Sequence, residues 1–231
     1  MNYFKLIYLS IFCGLISVLS FFNIIYSYYF NLYLNLDTYV YALFVSLFLG
    51  LLFYFTNNKQ DKITIYEKIL TIILGYFLLP LIISIPFYFS IYNLTFLNSY
   101  FEAISGFTST GFTIFENIKH VDQGLILWRS STQWIGGLYF LFSIILLIDI
   151  FDDNFKKSLT NFISFNKAEM LKQSFKIFTL YSFITLTIFI ILNLFGIRAF
   201  NSLNLAMTII SSGGFLPNDA LSNILINNSQ I

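Results

Sequence analysis

Two quartets of this chain, Thr108-Ser109-Thr110-Gly111 and Ser211-Ser212-Gly213-Gly214, have the residue types suited to handling an ion. Small hydroxylated residues and glycine let a backbone run extended beside a pathway. Its carbonyl oxygens can then replace the water shell of a monovalent cation. Each quartet follows a short amphipathic segment, Ser99 to Phe107 and Ser202 to Ile210. With Gly111 set against Gly214, Asn98–Phe112 overlies Asn201–Phe215. Asn98/Asn201, Ser99/Ser202, Ala103/Ala206, Ser109/Ser212, Gly111/Gly214 and Phe112/Phe215 are identical, and Ser105/Thr208 and Thr108/Ser211 are conservative pairs. An internal repeat in a membrane protein usually builds a site where the repeats meet.

Charged and polar residues near the first quartet could support it. Ser99 and Glu102 have capping-box spacing, which accounts for Glu102 as a helix cap; attraction of a cation is the competing role. A cap at the outer end would aim the negative end of the helix dipole inward, where it favours a cation. Arg129 has two readings. It could snorkel to an interface beside Trp128 and Trp134 in an aromatic belt. It could instead brace the loop, bonding loop carbonyls or pairing with Glu102, and the polar run Ser130-Ser131-Thr132-Gln133 favours the brace. Gly136-Gly137 would admit a neighbouring helix closely.

Other chemistry is thinly represented. His120 is the only histidine and Cys13 the only cysteine, so a histidine metal site is not expected and an internal disulfide is impossible. Asp149, Asp152 and Asp153 read as a solvated face, and they are the one cluster on which a membrane-embedded enzyme could be built. No catalytic triad or nucleotide loop is present, so the expectation is a non-enzyme without a cofactor.

The elements that must position these residues are long apolar runs. Of 231 residues, 58% are apolar and 10% charged, with a net charge of +1, which points to a bilayer rather than to nucleic acid. Five segments are long enough to cross: about Phe4–Phe30, Tyr39–Thr56, Ile69–Tyr92, Gly124–Ile150 and Ser174–Gly196. The two short segments are about nine residues each, roughly 13 Å of helix, enough to dip in and return. The fold class expected is therefore all-α, a polytopic membrane protein with five spanning helices and two re-entrant loops. Pro80 and Pro86 predict a bend in the third span. With both short segments re-entrant, Lys5, Lys59, Lys62, Lys68, Lys156, Lys157, Lys167, Lys172 and Lys176 share one side. The positive-inside rule makes that side, and the N-terminus, cytoplasmic. The organisation expected is two leading helices (1–60), a first helix–loop–helix repeat (61–155), and a cytoplasmic connection with the first helix and loop of an incomplete second repeat (156–231). Within it, 151–173 reads as a solvated connection.

Phe101-Glu-Ala-Ile-Ser-Gly-Phe-Thr-Ser-Thr-Gly111 and Trp128-Arg-Ser-Ser-Thr-Gln-Trp-Ile-Gly-Gly137 resemble motifs of the Trk/Ktr/HKT superfamily of potassium uptake proteins, most closely its TrkH-type membrane subunits. Ser211-Ser-Gly-Gly-Phe215 with Asp219 is similar to the family's second pore loop. The resemblance implies four helix–loop–helix repeats around one central pathway, with potassium held only at loop carbonyls. Thr108 to Gly111 and Ser211 to Gly214 would be two quarters of the selectivity filter, supported by Ser99, Glu102 and Arg129. It further implies a prokaryotic plasma-membrane protein, homodimeric and gated by a cytoplasmic nucleotide-binding ring. The chain carries only about half of that pattern, so a non-conducting subunit that needs a partner chain stands as the alternative.

Overall fold

A computed structural model of the chain describes residues 7–55, 65–147 and 167–218. Among these residues all regular structure is helical. The long helices are α1 (Ile7–Tyr29), α2 (Leu36–Phe55), α3 (Ile65–Tyr88), α5 (Gln123–Leu147) and α6 (Lys167–Leu194), with two short ones, α4 (Phe96–Phe107) and α7 (Ala199–Ile210). Lys5, Lys59, Lys62, Lys156, Lys157, the aspartates 149, 152, 153 and 219, and most of the connection 151–173 lie outside the described residues.

Four helical segments are long and apolar enough to cross a membrane: Tyr8–Tyr29, Tyr33–Phe55, Tyr66–Tyr88 and Phe175–Leu194. Their polarity is inside out, as a lipid solvent requires. On α1, Ser20, Asn23 and Ser27 are buried while Phe21, Phe22 and Ile25 face outward. The chain is a multi-pass membrane protein by this arrangement. The remaining expected span, Gly124–Ile150, corresponds to α5, which has 25 residues but is not among the four. Its run Arg129–Gln133 is polar and wholly buried, so this helix faces protein and not lipid along that stretch. α5 touches α1, α3, α4, α6 and α7 and is the axis on which the rest is assembled. Around it an aromatic cluster closes the core, with Tyr139 at 4.8 Å from Phe12, 4.9 Å from Tyr76 and 5.2 Å from Phe107 between ring centres. α3 runs unbroken through Pro80 and Pro86.

The short helices differ from expectation at their starts. Each has 12 residues rather than nine. Thr95 is the N-cap of α4, its Oγ1 accepting from the Asn98 N–H at 3.3 Å. The Ser99–Glu102 capping box therefore does not form. Ser99 sits one turn inside the helix and donates its hydroxyl to the Thr95 carbonyl at 3.0 Å. A threonine one turn upstream offers the same cap, and Phe96 and Leu97 extend the helix toward it. α7 begins after Arg198 with no side-chain cap.

Candidate functional site

The two loops that follow α4 and α7 share a set of closing hydrogen bonds at equivalent residues. Each helix ends at its hydroxyl residue, Thr108 or Ser211. The next serine takes the left-handed conformation, with φ 54° at both Ser109 and Ser212. Such a φ is uncommon for a residue with a side chain, and here it ends a helix. The Thr110 N–H then donates to the Ser105 carbonyl, and the Gly213 N–H to the Thr208 carbonyl, both at 2.9 Å. The side chains of that same pair hold the return stroke. Ser105 Oγ donates to the Phe112 carbonyl at 2.6 Å, and Thr208 Oγ1 to the Phe215 carbonyl at 3.0 Å. Ser105 and Thr208 thus carry roles that spacing alone did not assign, although their pairing in the repeat was the available signal.

The loops meet at their glycines. A β-carbon on Gly111 would lie 2.7 Å from Gly214 Cα, and one on Gly214 would lie 3.2 Å from Gly111 Cα. Gly111 also has φ +82°, which a side chain would penalise. Gly214 is not in the left-handed region, so the second copy needs glycine for the close approach alone. A cavity of about 610 Å³ opens beside the loops, lined in part by Tyr76, Phe107, Thr108, Ser109, Ser211 and Ser212. All eight residues of the two quartets therefore lie on the paired loops.

One face of α5 holds both loops. Arg129 Nε donates to Glu102 Oε1 at 2.9 Å, and Arg129 Nη2 to Thr113 Oγ1 at 3.0 Å. Glu102 also accepts from Thr113 Oγ1 at 2.9 Å and from the Ile114 N–H at 3.0 Å, which fixes the chain leaving the first loop. The guanidinium then reaches the second loop, 4.3 Å from the centre of the Phe215 ring, a cation–π distance. One turn on, Gln133 Oε1 accepts from the Phe215 N–H at 3.3 Å. Gly136 lies so close to the Phe107 carbonyl that no side chain would fit between them.

These contacts revise several readings. Arg129 does not snorkel; it is 1% exposed, and Glu102 is 0% exposed. Trp128 and Trp134 are not an interfacial belt. Both are buried, their indole N–H groups donating to the Ile83 carbonyl and to Thr185 Oγ1. Burial follows because α5 is surrounded by other helices. Ser99 stays within its own helix and is not brought to the loops. Thr113 and Phe215 join the site from positions with no local polar pattern.

Comparison with known proteins agrees with this architecture. No family model matches the chain. An uncharacterized cation transporter of Methanocaldococcus jannaschii is 28% identical over 214 residues, covering 89% of this chain and 44% of that protein. The Trk system potassium uptake protein TrkH of Escherichia coli is 24% identical over 185 residues, covering 77% of this chain and 38% of that one. The crystal structure of the potassium transporter TrkH from Vibrio parahaemolyticus superposes with a TM-score of 0.77 at 19% identity, over 97% of this chain and 46% of that chain. The chain spans less than half the length of these relatives. In sequence and in fold it is similar to TrkH-type Trk system proteins over that part of their length.

Proposed function

We propose that this chain forms part of a potassium pathway across a membrane, contributing two loops of its selectivity filter. Potassium enters from the outer side, sheds water onto carbonyls of Thr108 to Gly111 and Ser211 to Gly214, and leaves through the cavity beside them. A cytoplasmic-negative potential favours this by about 2.3 kcal/mol per charge per 100 mV. In this reading α4 and α7 are re-entrant, α5 also crosses the membrane, and the lysine-rich side with the N-terminus is cytoplasmic. The protein works in a prokaryotic plasma membrane as a dimer beneath which a nucleotide-binding ring gates the pore. Glu102 and Arg129 hold the filter and do not touch the ion. It is a transport reading, not an enzymatic one, and the named relatives are transporters.

The observation that carries it is the pairing of the repeated loops at Gly111 and Gly214. A loop closed twice by the same bonds, with glycine demanded at the point of contact, is what a pathway built from repeats requires. The test is rubidium uptake in bacteria lacking their own potassium uptake, for the wild type and for Gly111→Asp. Uptake abolished by the substitution is the expected result; equal uptake in both would refute the assignment. A second reading is a subunit whose pathway another chain completes; two such loops lie among the described residues. Uptake that appears only when a partner subunit is co-expressed would select it.

A further inference from the structure

A second polar site lies away from the loops, where α1, the turn before α2, α2 itself and the start of α5 converge. Ser27, Asn35 and Tyr39 are 0% exposed, and Asp122, just before α5, is partly buried. Ser27 Oγ, Asn35 Nδ2, Tyr39 OH and Asp122 Oδ2 are all buried, and apart from the approach of the Asn35 amide to the Asp122 carboxylate none of them has a hydrogen-bond partner in the protein. The three oxygens converge at Gly124. A β-carbon built on Gly124 would have Ser27 Oγ at 2.9 Å and Asp122 Oδ2 and Tyr39 OH at 3.0 Å as its nearest neighbours. Asn35 lies against the same carboxylate, and its orientation is fixed because its Oδ1 accepts from the Ile91 N–H at 3.1 Å. Such polar atoms in one buried place are costly unless something joins them.

We propose that Ser27, Asn35, Tyr39 and Asp122 hold one buried water molecule that fastens the α1–α2 pair to the start of α5. The donor and acceptor count selects water. Asp122 Oδ2 only accepts, Asn35 Nδ2 only donates, and the two hydroxyls do either. A water gives two hydrogen bonds and takes two, which is the number of partners available. A bare cation is a poorer match, since it needs lone pairs at every ligand and the Asn35 amide presents hydrogens. Glycine at 124 keeps the place clear of a side chain, because a methyl group there would stand within 3.0 Å of the three oxygens. The joint has a consequence for the paired loops. Arg129 and Gln133 lie two and three turns further along α5, so fastening the start of that helix fixes the face that braces both loops.

The test is a map of the protein in lipid nanodiscs at a resolution that shows ordered water, together with thermal unfolding in potassium, sodium and N-methylglucamine chlorides. The expected density has at least three of the four groups within hydrogen-bond distance. Gly124→Ala should expel the water and lower Tm by roughly 2–4 °C, equally in the three salts. Tyr39→Phe keeps the ring against Trp128 and removes only the hydroxyl, so it should lower Tm similarly even if the alanine variant does not fold. A dry site with the oxygens bonded directly to one another would overturn the proposal. So would a wild-type Tm raised by sodium or potassium over N-methylglucamine, with that dependence lost in Asp122→Asn, which would identify a cation instead.

Discussion

Replacing Glu102 with glutamine would test whether the ion pair on α5 holds the first loop. The substitution keeps the side-chain shape and one acceptor oxygen but removes the charge. Arg129 is then a guanidinium 1% exposed, with its only carboxylate partner among the described residues gone. Breaking a buried pair by removing one member costs about 3–5 kcal/mol, because the remaining charge is uncompensated. The Ile114 N–H and Thr113 hydroxyl lose a charged acceptor at the same time. The expected loss is therefore about 3 kcal/mol or more, a fall in Tm of roughly 6–12 °C at about 2–4 °C per kcal/mol. Arg129→Met should be comparably harmful. The double variant Glu102→Gln/Arg129→Met should be less destabilised than the sum of the two, since it also removes the cost of burying both charges. Thermal unfolding of the four proteins in one lipid composition measures this directly. Additive effects in the cycle, or a loss below about 1 kcal/mol for Glu102→Gln, would mean that the pair does not behave as a buried, mutually dependent unit.

The shared closure of the loops predicts that Ser105→Ala and Thr208→Val each cost about 1 kcal/mol, the worth of one hydrogen bond, and that both reduce rubidium uptake. A change in uptake confined to one of the two would show that the loops are not functionally equivalent. Burial raises the Asp122 carboxyl above its usual range, although Asn35 and the amides of Gln123, Gly124 and Leu125 partly oppose this. A raised folded-state value means that the fold favours the neutral acid. Its stabilising effect is full below the ordinary carboxylate range and is lost as pH rises through the raised value. Tyr26, Tyr39 and Tyr92 face the same group and do not titrate in that window. The Tm of the wild type relative to Asp122→Asn should therefore fall as pH is raised from about 4. A relative Tm that is flat or rises over that range would contradict this.

Much of the architecture was legible in the chain itself. Runs of about twenty apolar residues force helices, since backbone groups in lipid must be satisfied within the segment. Each of the five expected spans corresponds to a long helix, displaced by a few residues at its ends. The paired register of Asn98–Phe112 and Asn201–Phe215 likewise appears as matching hydrogen bonds, because residues a few positions apart decide how a helix ends and its chain turns back. Hydropathy read less well at α5. It counts polar residues without knowing whether they meet lipid or protein, and Arg129–Gln133 meet protein.

Short-range pattern also misjudged Glu102. Ser-x-x-Glu is a sound capping signal, but Thr95 offers an equivalent cap one turn earlier, and the choice fell to partners far along the chain. Arg129, 27 residues away, holds the Glu102 carboxylate, and the carboxylate holds the exit of the loop at Thr113 and Ile114. The sequence by itself determined which segments are helices, where the two short ones stop, and that one loop is written twice. Only the tertiary structure decided that Gly111 touches Gly214, that an arginine is buried between the loops, and that Ser27, Asn35, Tyr39 and Asp122 come together. The first set depends on interactions within a few residues. The second depends on side chains that meet only after helices have packed, and no local pattern carries that distance.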